Sequence, residues 1–203
     1  YYASQFRSVE INNSFYRMPA EKTLTQWTEQ VPPEFRFVLK APQRITHFTR
    51  LKDESKDPLE FFLKTAQTMG DQLGPLLFQL PPNMKLDLPR LQNFLSWLPA
   101  GVRAAFEFRH NSWFDDGVYD ALRAVNASLC IADTEEEQTP RIATATDWGY
   151  LRLRRVEYSP DDVSEWASWT RAQSWNEAFV FFKHEHAGTG PRLAKEFEAS
   201  FAG

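Results

Sequence analysis

Residues able to move protons or hold an anion recur at alternate positions of several short apolar segments. Glu10 and Asn12 alternate with Val9 and Ile11, and Lys40 follows Phe37-Val38-Leu39. Gln79 lies between Phe78 and Leu80, Glu107 and Arg109 flank Phe108, Asp133 closes Leu129-Cys130-Ile131-Ala132, and Arg152 lies between Leu151 and Leu153. Side chains on an extended strand point alternately to its two faces. One face of each segment is therefore apolar and suited to helices, and the other carries ions. Buried ions without partners are costly, so these groups must pair, reach solvent or hold a ligand. An internal salt-bridge network is the plain alternative to a ligand site. Lys40, Arg109, Arg152, Arg154 and Lys183 favour an anionic ligand, because guanidinium forks match carboxylate and phosphate oxygens. Glu107 is then the candidate general acid/base, Lys40, Arg109 and Arg152 the stabilisers of anionic charge, and Asp133 and Gln79 the orienting groups. His47 is a loop candidate for proton transfer. Lys183-His184-Glu185-His186 has metal-ligand residue types without the H-E-x-x-H spacing. A divalent metal on Glu10, Glu107, Asp133 and His184 is an open alternative.

The elements that must position these residues alternate. Strand character recurs at 9–15, 35–41, 75–80, 104–109, 127–133, 150–154 and 178–185. Between most of these segments lie stretches of helical period. Leu24, Trp27 and Val31 follow Pro19, and Leu59, Phe62, Leu63, Ala66 and Met69 follow Asp57-Pro58 and stop at Gly70. Asp87 precedes Leu91, Phe94, Leu95 and Leu98, and Val118, Leu122 and Val125 end at Asn126. Ser159 and Asp162 are spaced as a capping box, and Leu193, Phe197 and Phe201 follow Gly190-Pro191. The stretch from Asp133 to Tyr150 has too little apolar period for a packed helix. Such alternation predicts βαβ units on a parallel sheet. The expected fold is α/β, a (β/α)8 TIM-barrel-like single domain over residues 1–203 whose first strand is missing, because the chain is about one βα unit short of a ~250-residue barrel. The opening residues read as the tail of a helix.

Composition narrows the classes. With 42% hydrophobic and 25% charged residues among 203, the chain is neither disordered nor membrane-spanning. Its 23 Lys and Arg against 27 Asp and Glu argue against a dedicated nucleic-acid coat. The one cysteine, Cys130, sits in an apolar run and reads as a buried hydrophobe rather than a nucleophile. No secretion signal is visible, so a cytoplasmic location is expected. The sequence has no G-x-S-x-G, G-x-x-x-x-G-K or G-x-G-x-x-G motif, which removes support for hydrolase elbows and nucleotide folds.

The tracts Val9-Glu10-Ile11-Asn12-Asn13-Ser14-Phe15-Tyr16, Phe37-Val38-Leu39-Lys40-Ala41-Pro42, Ile45-Thr46-His47 and Phe78-Gln79-Leu80-Pro81-Pro82 resemble the YecE-like family. So do Phe106-Glu107-Phe108-Arg109, Ser112-Trp113, Ala132-Asp133 and Tyr150-Leu151-Arg152-Leu153. The resemblance to this family, domain of unknown function seventy-two, runs in order along the chain. It implies a TIM barrel loosely like metal-dependent sugar isomerases and apurinic endonucleases, with no established reaction. Members usually begin with a strand bearing Gly-Trp-Tyr, absent here. Two tracts depart from the usual pattern: Arg154-Arg155 stands for His-Gly, and Lys183-His184-Glu185 for Asn-Asn-Asp.

Together these readings predict an enzyme acting on a small anionic or sugar-like substrate at the C-terminal mouth of a barrel. Glu107, Lys40, Asp133 and His47 are the expected catalytic residues. Glu10, Asn12, Tyr16, Gln79, Arg109, Trp113, Arg152, Lys183 and His184 are the expected substrate-binding residues. A metal-dependent phosphodiester hydrolase and a non-catalytic metabolite-binding barrel are the alternatives. The cofactor and the oligomeric state stay open, and no nucleic-acid or membrane partner is expected.

Overall fold

A computed structural model describes residues 1–136, 139–182 and 189–202. The chain divides into two compact units, Tyr1–Ala127 and Ser128–Gly203. In the first, strands β1 (Ser8–Ile11), β2 (Arg36–Lys40), β3 (Leu73–Gln79) and β4 (Ala104–Glu107) pair in parallel in chain order. Helices α1 (Glu21–Glu29), α2 (Lys56–Ala66) and α3 (Leu88–Leu95) form the connections, and α4 (Asp116–Ala124) follows β4. In the second, β5 (Ser128–Asp133), β6 (Trp148–Leu153) and β7 (Glu177–Phe182) pair in parallel, with α5 (Pro160–Arg171) between the last two and α6 (Thr189–Ala202) after them. This is the α/β class of a TIM-barrel-like fold, with seven strands among the described residues.

The strands and helices fall where the periods place them, with shifted ends. The first strand stops at Ile11, because Asn13–Phe15 turns tightly and Ser14 Oγ lies 2.8 Å from the carbonyl oxygen of Ile11 and 2.7 Å from that of Lys40. Asp87 caps α3 by accepting from the Arg90 N–H, and the helix ends at Leu95, short of the stripe's last residue. Ser159 and Asp162 form the expected capping box. No helix occurs between β5 and β6 among the described residues. No described helix is long and apolar enough to cross a membrane.

The apolar strand faces pack on helices. Phe78 meets Phe62 of α2 at 6.3 Å and Phe94 of α3 at 5.4 Å between ring centroids, both edge-on, and stacks on Phe106 at 5.2 Å. Such pairs add about 0.5–1.5 kcal/mol each beyond their buried area. In the second unit, Leu151, Leu153 and Phe182 pack with Val163 and Trp166 of α5 and Phe197 of α6. Cys130 is fully buried in β5. Two glycines permit close approach. A Cβ on Gly74 would lie 3.1 Å from the Phe37 carbonyl oxygen, and one on Gly149 would fall 2.2 Å from the Trp175 ring.

Candidate functional site

The polar faces of β2, β3 and β4 join into one chain of side-chain contacts. Lys40 at the end of β2 donates from Nζ to Gln79 Oε1 at 2.9 Å. Gln79, directly opposite Glu107 in the parallel register, donates from Nε2 to Glu107 Oε1 at 2.7 Å. Arg109, two residues past the end of β4, donates from Nε to the same oxygen at 3.2 Å. Lys40, Gln79 and Glu107 are buried, and Arg109 is half-buried. Parallel pairing makes this possible: it brings the last residues of successive strands together, so residues far apart in sequence share one face. On β1, Asn12 donates to Glu10 Oε1 at 2.9 Å.

The loop after β2 brings His47 to this cluster. Residues Arg44–Phe48 form a wide helical turn in which the Thr49 N–H reaches the Arg44 carbonyl, five residues back, at 2.9 Å. Turns of this kind are frequent at functional sites. The chain then reverses through Arg50 and Leu51, whose φ values of 51° and 60° lie in the left-handed region. For residues with a Cβ this conformation costs roughly 1–2 kcal/mol each. The reversal buries Leu51 and lets Arg50 Nε donate back to the His47 carbonyl at 3.3 Å. The Arg50 guanidinium also donates to Asn83 Oδ1 at 3.2 Å.

Phe15 is the hub between the strand and the loop. The Lys40 ammonium lies 4.3 Å from the Phe15 ring centroid, and the His47 imidazole meets the same ring edge-on at 4.9 Å. Exposed Tyr16 stands edge-on to Phe15 at 5.1 Å. His47 Nδ1 is 2.9 Å from Thr46 Oγ1, so Nε2 is the ring atom that Thr46 does not engage. Burial, then the charges of Lys40, Arg109 and Arg50, push the imidazole below its ordinary value of 6.5. Three cations thus act on one imidazole.

Trp113 ends the short turn Asn111–Trp113 that follows β4. It is fully buried, stacks on Phe108 at 4.7 Å and donates from Nε1 to the Met84 carbonyl at 2.7 Å.

Asp133 and Arg152 belong to the second unit, where both are buried. Asp133 Oδ2 accepts from Arg155 Nε at 3.0 Å, Tyr158 OH at 3.0 Å and Trp166 Nε1 at 3.2 Å. Arg155 also pairs with Asp162 Oδ1 at 3.0 Å; the Ser159 hydrogen bonds first, and then this pairing, hold Asp162 down to about 2. Burial works to lower Arg155, but the hydrogen bonds to Asp162 and Tyr158 and the charges of Asp133 and Asp162 outweigh it and raise it further above its already high value. Lys183 and His184 lie outside the described residues. Among the described residues, no three His, Cys, Asp or Glu side chains group closely enough to hold a metal. Gln79 and Arg109 both donate to Glu107 Oε1.

Phe15, Arg50, Arg155, Tyr158 and Trp166 are partners that the alternation of strand residues does not reveal. Arg155 carried a signal in its position, two residues past a strand end where sites of this fold class gather. The others sit on turns and a helix whose approach depends on loop geometry.

The comparisons fit this architecture. A DUF72 family protein from Enterococcus faecalis matches with a TM-score of 0.86 and 19% identity, over 99% of this chain and 86% of that one. One from Thermotoga maritima matches with a TM-score of 0.83 and 24% identity, over 98% of this chain and 85% of that one. In sequence, the chain is 32% identical to UPF0759 protein YecE of Escherichia coli K12 over 117 residues, 57% of this chain and 43% of that protein. It is 24% identical to UPF0759 protein YunF of Bacillus subtilis over 198 residues, 90% of this chain and 69% of that protein. The match to YecE thus spans less than half of that relative's length. The family described as protein of unknown function DUF72 matches residues 1–203, and the chain belongs to it.

Proposed function

We propose that this protein is an enzyme acting on a small anionic substrate at the C-terminal ends of β1 to β4. The observation that carries the reading is that Lys40 and His47 meet the same Phe15 ring, at 4.3 and 4.9 Å, while Arg50 donates to the His47 carbonyl at 3.3 Å. Lys40 and Arg109 are held in place through Gln79 and Glu107. Preorganised cations aimed at one place stabilise developing negative charge without reorganising during the reaction. In this reading Lys40 and Arg109 bind the anion. His47 transfers the proton, being the titratable group whose ordinary value lies near neutrality. Glu107, with one oxygen accepting from two side chains, is the positioning residue that orients Arg109 and Gln79. The exposed Tyr16 and Asn12 offer hydroxyl and amide contacts at the rim.

Calorimetric titration with inorganic phosphate and with oxalate tests the reading. The expected result is saturable binding of at least one anion, weakened about tenfold in Lys40→Met, since a hydrogen bond to a charged group contributes about 1.5–3 kcal/mol. Absence of binding by both anions refutes it, as does an unchanged affinity in Lys40→Met.

A further inference from the structure

The second unit contains a cavity of about 470 Å³ lined by its own residues. Its wall holds Asp133 at the end of β5, Thr139 and Arg141 from the following segment, Arg155 after β6, and Asp162 and Glu165 from α5. Two features point to a ligand. First, among the described residues the buried Asp133 takes all three of its side-chain donors on Oδ2 and none on Oδ1. A carboxylate with one oxygen fixed this firmly presents the other as a rigid acceptor. Second, the Arg141 guanidinium lies 3.9 Å from the Trp166 ring centroid and pairs with Glu165 at 2.6 Å, so its head is held at the wall. The lining sets two guanidiniums against three carboxylates. Arg155 is already taken by Asp133 and Asp162. An anion would meet a surplus of negative charge here, and burying a cation would leave the fork of Arg141 unused. Planar carboxylates and guanidiniums, alternating with a threonine hydroxyl, match neighbouring hydroxyl groups that both donate and accept.

We propose that this cavity binds an uncharged polyhydroxylated ligand, a monosaccharide or cyclitol. One hydroxyl donates to Asp133 Oδ1, and adjacent oxygens accept from Arg141. This inference goes beyond the proposed function and rests on residues of the second unit alone.

The Trp166 indole N–H, bonded to Asp133, reports directly on the cavity. Its cross-peak, assigned in ¹⁵N-labelled protein with Trp166→Phe, is followed while D-ribose, D-xylose, D-glucose or myo-inositol is added. The expected result is a saturable shift with at least one of the four, and an affinity about tenfold weaker in Arg141→Gln, in line with the loss of a charged donor. Arg141 lies on a partly exposed segment, so this variant keeps the fold. An unmoved cross-peak with all four compounds overturns the proposal. So does a shift driven by inorganic phosphate or an alkylammonium ion instead, or an affinity unaltered in Arg141→Gln.

Discussion

Replacing Glu107 by glutamine removes one negative charge and almost no volume from a position that is 2% exposed. Two donors end on one of its oxygens: Gln79 Nε2 at 2.7 Å and Arg109 Nε at 3.2 Å. A hydrogen bond to a charged group contributes about 1.5–3 kcal/mol and a neutral one about 1 kcal/mol. The substitution therefore removes about 1 kcal/mol at Gln79 and less at half-exposed Arg109, where solvent screens the pair. It also turns a glutamine NH₂ toward buried surroundings, so the expected destabilisation is about 2 kcal/mol in urea unfolding. Arg109→Gln, at the exposed end of the pair, should cost under about 1 kcal/mol. The double variant should cost less than the sum of the two, because both remove the same contact. If Glu107→Gln unfolds within about 0.5 kcal/mol of the wild type, as an unremarkable surface change would, the carboxylate is not the anchor of this site and the geometric argument fails.

Other outcomes follow from particular contacts. Gly149→Ala should destabilise by about 1–3 kcal/mol on thermal or urea unfolding, since its Cβ would overlap the Trp175 ring. Ser159→Ala should cost about 1 kcal/mol by removing the cap of α5. It should also raise the Asp162 titration above about 2, seen by carboxyl NMR, because the Ser159 hydrogen bonds are the first cause of its lowering. In the wild type, Asp162 adds stability that is fully present above 3.8 and lost as the pH falls toward about 2. His47 acts in the same sense higher on the scale. Its folded value lies below 6.5, so stability is held above 6.5 and declines as the pH falls through the folded value, more steeply in the wild type than in His47→Asn.

Much of the architecture is legible in the residue order, and the reason is geometric. Alternation in Phe106-Glu107-Phe108-Arg109 separates a helix-packing face from a polar one whatever the surroundings, and the rings of Phe78 and Phe106 duly meet α2 and α3. Capping at Asp87 and Ser159 is local and equally readable. The links among Lys40, Gln79 and Glu107 depend on strand register, which spacing along the chain does not specify. Phe15 and Arg50 were beyond reach because turns place them: a tight turn after β1 tucks Phe15 under Lys40, and two left-handed residues swing Arg50 back to His47. Arg155 reads in sequence as a departure from the family pattern. In the fold it is the partner that locks Asp133 to α5.

In the proposed site cations act on the His47 imidazole, and the titration of His47 by NMR tests this most directly. The account predicts a midpoint below 6.5 in the protein alone. It predicts a rise when inorganic phosphate is added, because an anion offsets the charges of Lys40, Arg109 and Arg50, and binding and protonation then favour each other. A midpoint at or above 6.5 that phosphate does not move would contradict it.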